Sequence, residues 1–478
     1  MKAEVPSLGQ NTPDNRPWYQ QMNRYHWFVL VIAALGWMFD CLDQQLFNLA
    51  RVPAMNELIQ REDVPSIMTA VAPLTEAEET KLLGDYRKEY GGHATAIFLI
   101  GWATGGLIFG MLGDRIGRAK TMMWTILIYS CCTGLSALSQ NFWQFAFFRF
   151  ITGLGVGGEF AVGVALVAEV VPAAARAHAL GLLQALSAVG NITAAFISLY
   201  VGHLEESGAI GSAWKWMFVI GALPALLALV VRMQLKEPEK WQRLKDSGEL
   251  AKSSAFTYGD LFSDRRWAYN AIIGLLLSSV GVIGTWGIGF FSIDLSRFVF
   301  ESHFKDLGFT GAELKGKLTA YSAYTSLMLN TGAFFGMLAF SKIAQVLGRR
   351  QALALSFITS AASIASVFWF LKSPSQIWWL IPIQGFCQLS VFACYAIYLP
   401  ELFPTRLRST GTSFCYNVGR YIAAIGPVVL GLLTSRVYAD YAAPLNYRYA
   451  GVTMCMIFAI GLILLPFAPE TKDKPLPE

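Results

Sequence analysis

Five ionisable residues stand inside runs of apolar sequence: Asp40 and Asp43 in FVLVIAALGWMFDCLDQQLFNLA, Arg149 and Glu159 in RFITGLGVGGEF, and Arg420 in CYNVGRYIAAIGP. An ionisable group in hydrocarbon costs at least about 2.5–3.5 kcal/mol, so each is a functional candidate by default. Asp40 and Asp43 are three residues apart and share a helix face. A carboxylate beside an arginine keeps its charge, whereas one whose arginine is drawn away takes up a proton to escape the cost of burial. An aspartate and an arginine at one depth would therefore form a proton-exchanging site, the alternative being a static buried ion pair. A lone arginine near mid-depth suits an anion, held bidentately, unless it pairs with Glu159 or Asp43.

The elements that must carry these residues are long and apolar. Of 478 residues, 54% are hydrophobic and only 14% charged, where a soluble chain carries roughly a quarter. Twelve runs approach the ~20 residues that span a bilayer as a helix: 26–48, 92–112, 119–138, 142–170, 178–202, 213–234, 268–296, 318–341, 351–371, 376–399, 410–433 and 447–468. These predict an all-α integral membrane protein with both termini on one side. Arg115, Arg118, Lys120, Arg176, the basic stretch 236–267, Lys342, Arg349, Arg350, Arg406 and Arg408 fall in the connections on that side, which the positive-inside rule makes cytoplasmic. The connection 51–91 is then an external, net-acidic loop, with a helical pattern in LTEAEETKLLGDYRKEY. The net charge of +5 follows from the same rule and asks for no nucleic-acid partner.

Depth can be read from the ~1.5 Å rise per residue. Asp40 and Asp43 lie about 20–25 Å from the cytoplasmic end of span one, and Arg149 about 10 Å below the outer surface. Arg420 is about 15 Å deep, near the midplane. The aspartates and Arg149 are thus expected at one level. All seven cysteines lie in apolar runs, which argues against a disulfide framework or a metal cage. The five histidines are scattered without ligand spacing; no metal or cofactor is expected, and an enzyme reading finds no support.

The chain repeats itself. Gly117-Arg118 returns as Gly348-Arg349, EVVPAAAR (169–176) as ELFPTRLR (401–408), and Pro238-Glu239 as Pro469-Glu470. Matches at a common offset mark two six-helix halves, the plan of parallel-repeat transporters. The expected division is a tail 1–25, a first half 26–234, a cytoplasmic linker 235–267, a second half 268–468 and a tail 469–478.

GMLGDRIGRAK (110–120) resembles the signature between spans two and three of the major facilitator superfamily. Its second copy, SKIAQVLGRR (341–350), has Gln345 where the first has Asp114. RFITGLGVGGEF (149–160) and PELFPTRLRSTG (400–411) resemble the branch of sugar porters, organic-ion transporters and carboxylate/proton symporters. The resemblance implies a twelve-helix major facilitator fold and alternating access around a central site. It lines Asp43 up with the span-one aspartate of proton symporters, with Asp40, Arg149 and Glu159 beside it as proton-coupling candidates, and it assigns Arg420 to a substrate anion. Asp114, Arg115, Arg118, Glu169, Arg176, Glu401 and Arg408 would latch a cytoplasmic gate, the plainer alternative being topology and helix-end charge preference.

Other polar residues at mid-depth could line a cavity or serve as interhelical glue: Gln184, Asn191, Trp286, Asn330, Gln384, Gln388, Tyr416 and Asn417. The leading expectation is secondary active, proton-coupled uptake of a small organic acid across a bacterial inner membrane by a monomer. Its partners would be the substrate, the proton and the bilayer. Sugar/proton symport is the alternative, ahead of an uncoupled facilitator, a drug exporter or a transporter-like receptor.

Overall fold

A computed structural model describes residues 17–68, 75–224, 230–231, 234–247, 257–289, 291–423, 429–430, 432–441 and 445–477. All regular secondary structure among the described residues is helical. The first half comprises α1 (Arg24–Leu58), α2 (Glu76–Ile116), α3 (Arg118–Ser136), α4 (Phe142–Val170), α5 (Ala173–Glu206) and α6 (Ala213–Gly221). The second comprises α7 (Arg265–Val282), α8 (Phe291–Asp306), α9 (Gly311–Val346), α10 (Arg349–Phe370), α11 (Leu380–Gln388), α12 (Ser390–Glu401), α13 (Arg408–Ala423), α14 (Leu445–Met454) and α15 (Ile457–Leu464).

Nine helical stretches among the described residues are long and apolar enough to cross a membrane, α11 with α12 and α14 with α15 each forming one of them. Of the remaining expected spans, 119–138 is the 19-residue α3, while 213–234 and 410–433 run into residues outside the described set. The expected loop 51–91 is largely helical: α1 continues to Leu58 and α2 starts at Glu76. The reason lies in a capping box, in which Thr75 Oγ1 accepts from Glu78 N (3.3 Å) and the Glu78 carboxylate accepts from Thr75 N (2.9 Å), satisfying the exposed amides of the first turn.

The repeat seen in sequence is also a backbone repeat. Gly117 and Gly348, between α2 and α3 and between α9 and α10, have φ of 114° and 107°, a region that side chains with a Cβ disfavour. Within the first half, Gly101 and Gly105 of α2 lie against the carbonyls of Phe150 and Leu154. Gly153 and Gly157 of α4 answer them against the carbonyls of Phe98 and Trp102. No side chain fits at these crossings, so the glycines set the register that places Trp102 and Arg149. The halves meet along two seams, α2 against α13 and α5 against α9.

Candidate functional site

Arg149 is wholly enclosed in the first half. Its Nε and Nη2 donate to Ser136 Oγ (3.1 and 2.8 Å), and Nη2 also reaches Thr133 Oγ1 (3.2 Å) and Thr152 Oγ1 (3.1 Å). Its Nη1 lies 3.7 Å from Asp43 Oδ2. Thr133 Oγ1 donates in turn to Asp43 Oδ1 at 2.5 Å. Phe47, Phe145 and Phe218 present ring centroids 4.6–6.0 Å from the guanidinium carbon. Apolar walls of this kind exclude water and strengthen the charge interaction inside them.

Asp40 does not share this partner, although a common helix face and depth would have allowed both aspartates to look toward Arg149. Neither of its oxygens has a hydrogen-bond partner among the described residues, and the carboxyls of Glu159 and Asp43 are close enough to act on it. Positions three apart on a helix differ by about 60° in direction. That turn is enough to aim Asp43 at Arg149 and Asp40 at α4 further along. There Glu159 Oε1 lies against Gly36, one turn from Asp40 on α1, and Glu159 Oε2 accepts from Thr125 Oγ1 at 2.6 Å.

Arg420 faces a cavity between the halves with about 680 Å³ of atom-free space, its open mouth included. Its guanidinium carbon is 4.3 Å from the ring centroids of both Trp102 and Tyr416, a cation–π sandwich. Its Nη1 donates to Tyr416 O (2.7 Å) and Asn417 Oδ1 (3.0 Å). No carboxylate lies within ion-pair distance of it among the described residues, so the pairing with Glu159 or Asp43 is not made. Phe160, the neighbour of Glu159, stacks on Tyr416 at 4.1 Å and ties the acidic group to the Arg420 wall.

Of the other expected lining residues, Gln184, Asn191, Asn330 and Tyr416 do border the cavity. Asn417 does not: its Nδ2 donates to Ser413 and its Oδ1 holds Arg420, so it orients the arginine. Gln384 and Gln388 lie outside the lining too, bonded to each other (2.8 Å), with Gln384 also reaching Ser292 (3.1 Å). The Trp286 side chain falls outside the described residues. Trp37, Gln44, Trp102 and Thr285 join the wall without having been singled out. An aromatic or a threonine in an apolar helix carries no signal until its neighbours are known.

The motif charges gather at the face where segments 17–25 and 469–477 lie. Glu169 Oε1 accepts from Arg118 Nη2 (3.0 Å) in its own half and Arg408 Nη1 (2.7 Å) in the other. Asp114 pairs with Arg118 (2.8 Å) and accepts from the first-turn amides of α13, Ser409 N (3.1 Å) and Thr410 N (2.7 Å). The helix N-terminus favours the negative charge placed there. In the second half, Glu401 takes a bidentate pair from Arg349 (3.0 and 2.8 Å). The α5–α9 seam is not a mirror image. Gln345, standing where Asp114 repeats, bonds His178 (2.7 Å), and Arg176 makes no ion pair among the described residues, although the charges of Glu401 and Glu169 reach it. Arg115 is exposed at the end of α2.

A capping carboxylate also repeats, shifted from the sequence match. Glu237 accepts from Ala119 N and Lys120 N at the start of α3 (both 3.2 Å). Glu470 does the same for Arg349 N and Arg350 N at the start of α10 (both 3.1 Å). The counterpart of Glu470 is thus Glu237, whereas Glu239 is an exposed residue paired with Arg243. Glu470 is half-buried, which pushes its carboxyl up, yet the amides of Lys472, Arg350, Arg349 and Thr471 outweigh this and hold it below the usual carboxylate range.

Membrane-crossing helices in two repeated halves, closed at one face by ion pairs over a central cavity, define a secondary transporter. The chain belongs to the Major Facilitator Superfamily, whose profile matches residues 64–382 and 288–478. It is 29% identical to a putative metabolite transport protein of Haemophilus influenzae over 95% of this chain and 99% of that one. It is 32% identical to a cis,cis-muconate transport protein of Acinetobacter baylyi over 70% and 76% of the two chains. Among solved structures, a proton:xylose symporter superposes with a TM-score of 0.69 at 18% identity, covering 95% of this chain and 98% of that one; at that identity the likeness is one of fold. The chain is a membrane transporter and not an enzyme, and the inner-membrane location expected agrees with a relative named an inner membrane metabolite transport protein of Escherichia coli, 28% identical over 79% of this chain and 82% of that one.

Proposed function

We propose that the protein carries a small organic acid into the cell together with a proton. The observation that carries this reading is Arg420: a buried guanidinium beside two aromatic rings, facing the cavity without a counter-ion among the described residues. A buried cation lacking a partner is costly, and a substrate carboxylate supplies the missing charge through two N–H donors. The muconate named for one Acinetobacter baylyi relative is a dicarboxylate and the benzoate named for another a monocarboxylate, so both names are those of organic acids and leave the number of carboxylates open.

The proton is assigned to Asp43. With Asp43 charged, Arg149 is held beside it. A proton on Asp43 cancels the attraction and leaves the arginine to its hydroxyl partners, loosening α1 from α4 within the first half and so the packing of α1 on α5, the helix that carries one of the two seams along which the halves rock. Asp40 and Glu159 extend the acidic path away from Arg149. The ion pairs of Asp114, Arg118, Glu169 and Arg408 form the gate that closes the cytoplasmic side, with both termini on that side. Uptake of labelled carboxylates and hexoses into proteoliposomes, with and without an inward proton gradient, tests the reading. Gradient-driven accumulation of a carboxylate is expected; hexose uptake that survives Arg420→Ala refutes it.

A further inference from the structure

The walls of the cavity are chemically unequal, and the inequality follows the two seams. Arg420, Trp102 and Tyr416 stand on the α2–α13 seam. The α5–α9 seam offers amides: Gln184, Asn191 and Asn330. Asn191 Nδ2 donates to Asn330 Oδ1 (2.9 Å) and Asn330 Nδ2 to Ser326 O (2.9 Å), which commits these two. Gln184 is not committed. It is 3% exposed, and its enclosed Oε1 has no hydrogen-bond partner. Thr285 Oγ1, in the π-helical turn Ile283–Gly289 that follows α7, is buried and unpartnered in the same way. Enclosed acceptors of this kind cost free energy until a ligand completes them. Among the described residues lining the cavity, Arg420 is the one charged side chain.

We infer that the substrate carries a single carboxylate, held at Arg420, and a separate uncharged hydroxyl or N–H group received by Gln184 and Thr285. The inference rests on the carboxylate reading above and narrows it. A second carboxylate at the amide wall would be stripped of water with no cation to meet it, in a bundle that already encloses Asp40, Asp43 and Glu159. A monocarboxylate without the second group would leave Gln184 Oε1 and Thr285 Oγ1 unsatisfied, the situation in which a site rejects the analogue lacking a hydrogen-bonding group.

Benzoate, 4-hydroxybenzoate and terephthalate differ only at the para position and serve as probes. Uptake of each labelled acid is measured in proteoliposomes under an inward proton gradient, for the wild type, Gln184→Leu and Thr285→Val. The wild type is expected to take up 4-hydroxybenzoate about tenfold faster than benzoate at limiting concentration, with terephthalate slowest. Either substitution should bring the ratio of 4-hydroxybenzoate to benzoate within about twofold of unity. Terephthalate transported as well as 4-hydroxybenzoate overturns the inference while leaving the carboxylate reading intact, as does a ratio that neither substitution moves. Failure to take up any of the three acids alongside uptake of a hexose overturns both. Should one variant fail to fold, the wild-type ratios and the other variant still decide.

Discussion

Arg149 Nη1 stands 3.7 Å from Asp43 Oδ2, and Thr133 joins the two residues a second time by accepting from the guanidinium while donating to Asp43 Oδ1. Neither Nη1 nor Oδ2 has a hydrogen-bond partner among the described residues, so the contact between them is one of charge. The arginine keeps Ser136 and Thr152 when the aspartate is neutralised. Separation of this pair therefore strands less buried charge than separation of a pair whose arginine has no other acceptor.

Asp43→Asn mimics the protonated carboxyl. Substrate counterflow is expected to persist, because binding at Arg420 is untouched, while accumulation against a gradient is lost. Accumulation that continues in this variant would remove Asp43 from coupling.

Arg420→Lys keeps the charge but loses the planar fork and its stacking on Trp102 and Tyr416. The KM for a transported carboxylate should rise about tenfold, and by about 10- to 100-fold for Arg420→Ala. Asn417→Ala, which frees one side of the guanidinium, should act in the same direction but more weakly. An unchanged KM in Arg420→Lys would show that the guanidinium does not bind the anion.

Glu169→Gln removes the one carboxylate that Arg118 and Arg408 share across the halves. Breaking a buried ion pair in this way costs about 3–5 kcal/mol, enough to move a two-state equilibrium a long way. Single cysteines placed along the pathway between Arg420 and this ion-pair face should become reactive from the side on which the ion pairs lie. Reactivity equal to that of the parent protein would count against a latch.

Glu470→Gln tests the capping carboxylate. The folded protein holds Glu470 below the usual carboxylate range, so its contribution is present above the unfolded value and is lost as pH falls through the folded one. At pH 7 the variant should lose about 0.5–1 kcal/mol, a helix-end effect discounted for partial exposure. The difference in Tm from the parent should shrink as the pH is taken below about 4. A difference independent of pH would mean that the carboxylate's charge is not what stabilises α10.

Much of this architecture is legible in one dimension because it depends on local rules. Span lengths follow from apolar runs, and the repeat follows from Gly117 and Gly348, which reappear with the same positive φ. The depth of Asp43 and Arg149 follows from helix rise, so their meeting was open to arithmetic. Even the helix that opens at Glu76 is foreshadowed by Thr75 and Glu78.

Other features depend on which face of a helix meets which neighbour, and spacing along one chain does not carry that. Asp43 rather than Asp40 meets Arg149, and the Glu159 carboxyl settles one turn before Asp40 because Gly36 leaves room for it on α1. Gln384 and Gln388 bonded each other and left the cavity, while Asn417 became the support of Arg420 rather than part of the wall. The repeat was readable as Pro-Glu, yet the capping carboxylate proved to be Glu237, since a cap is chosen by where the chain passes a helix end. Residue types and their depth are thus properties of the chain. Partnership, and the charge left unpaired at Arg420, were decided by packing, where a rotation of a fraction of a turn determines which buried groups meet.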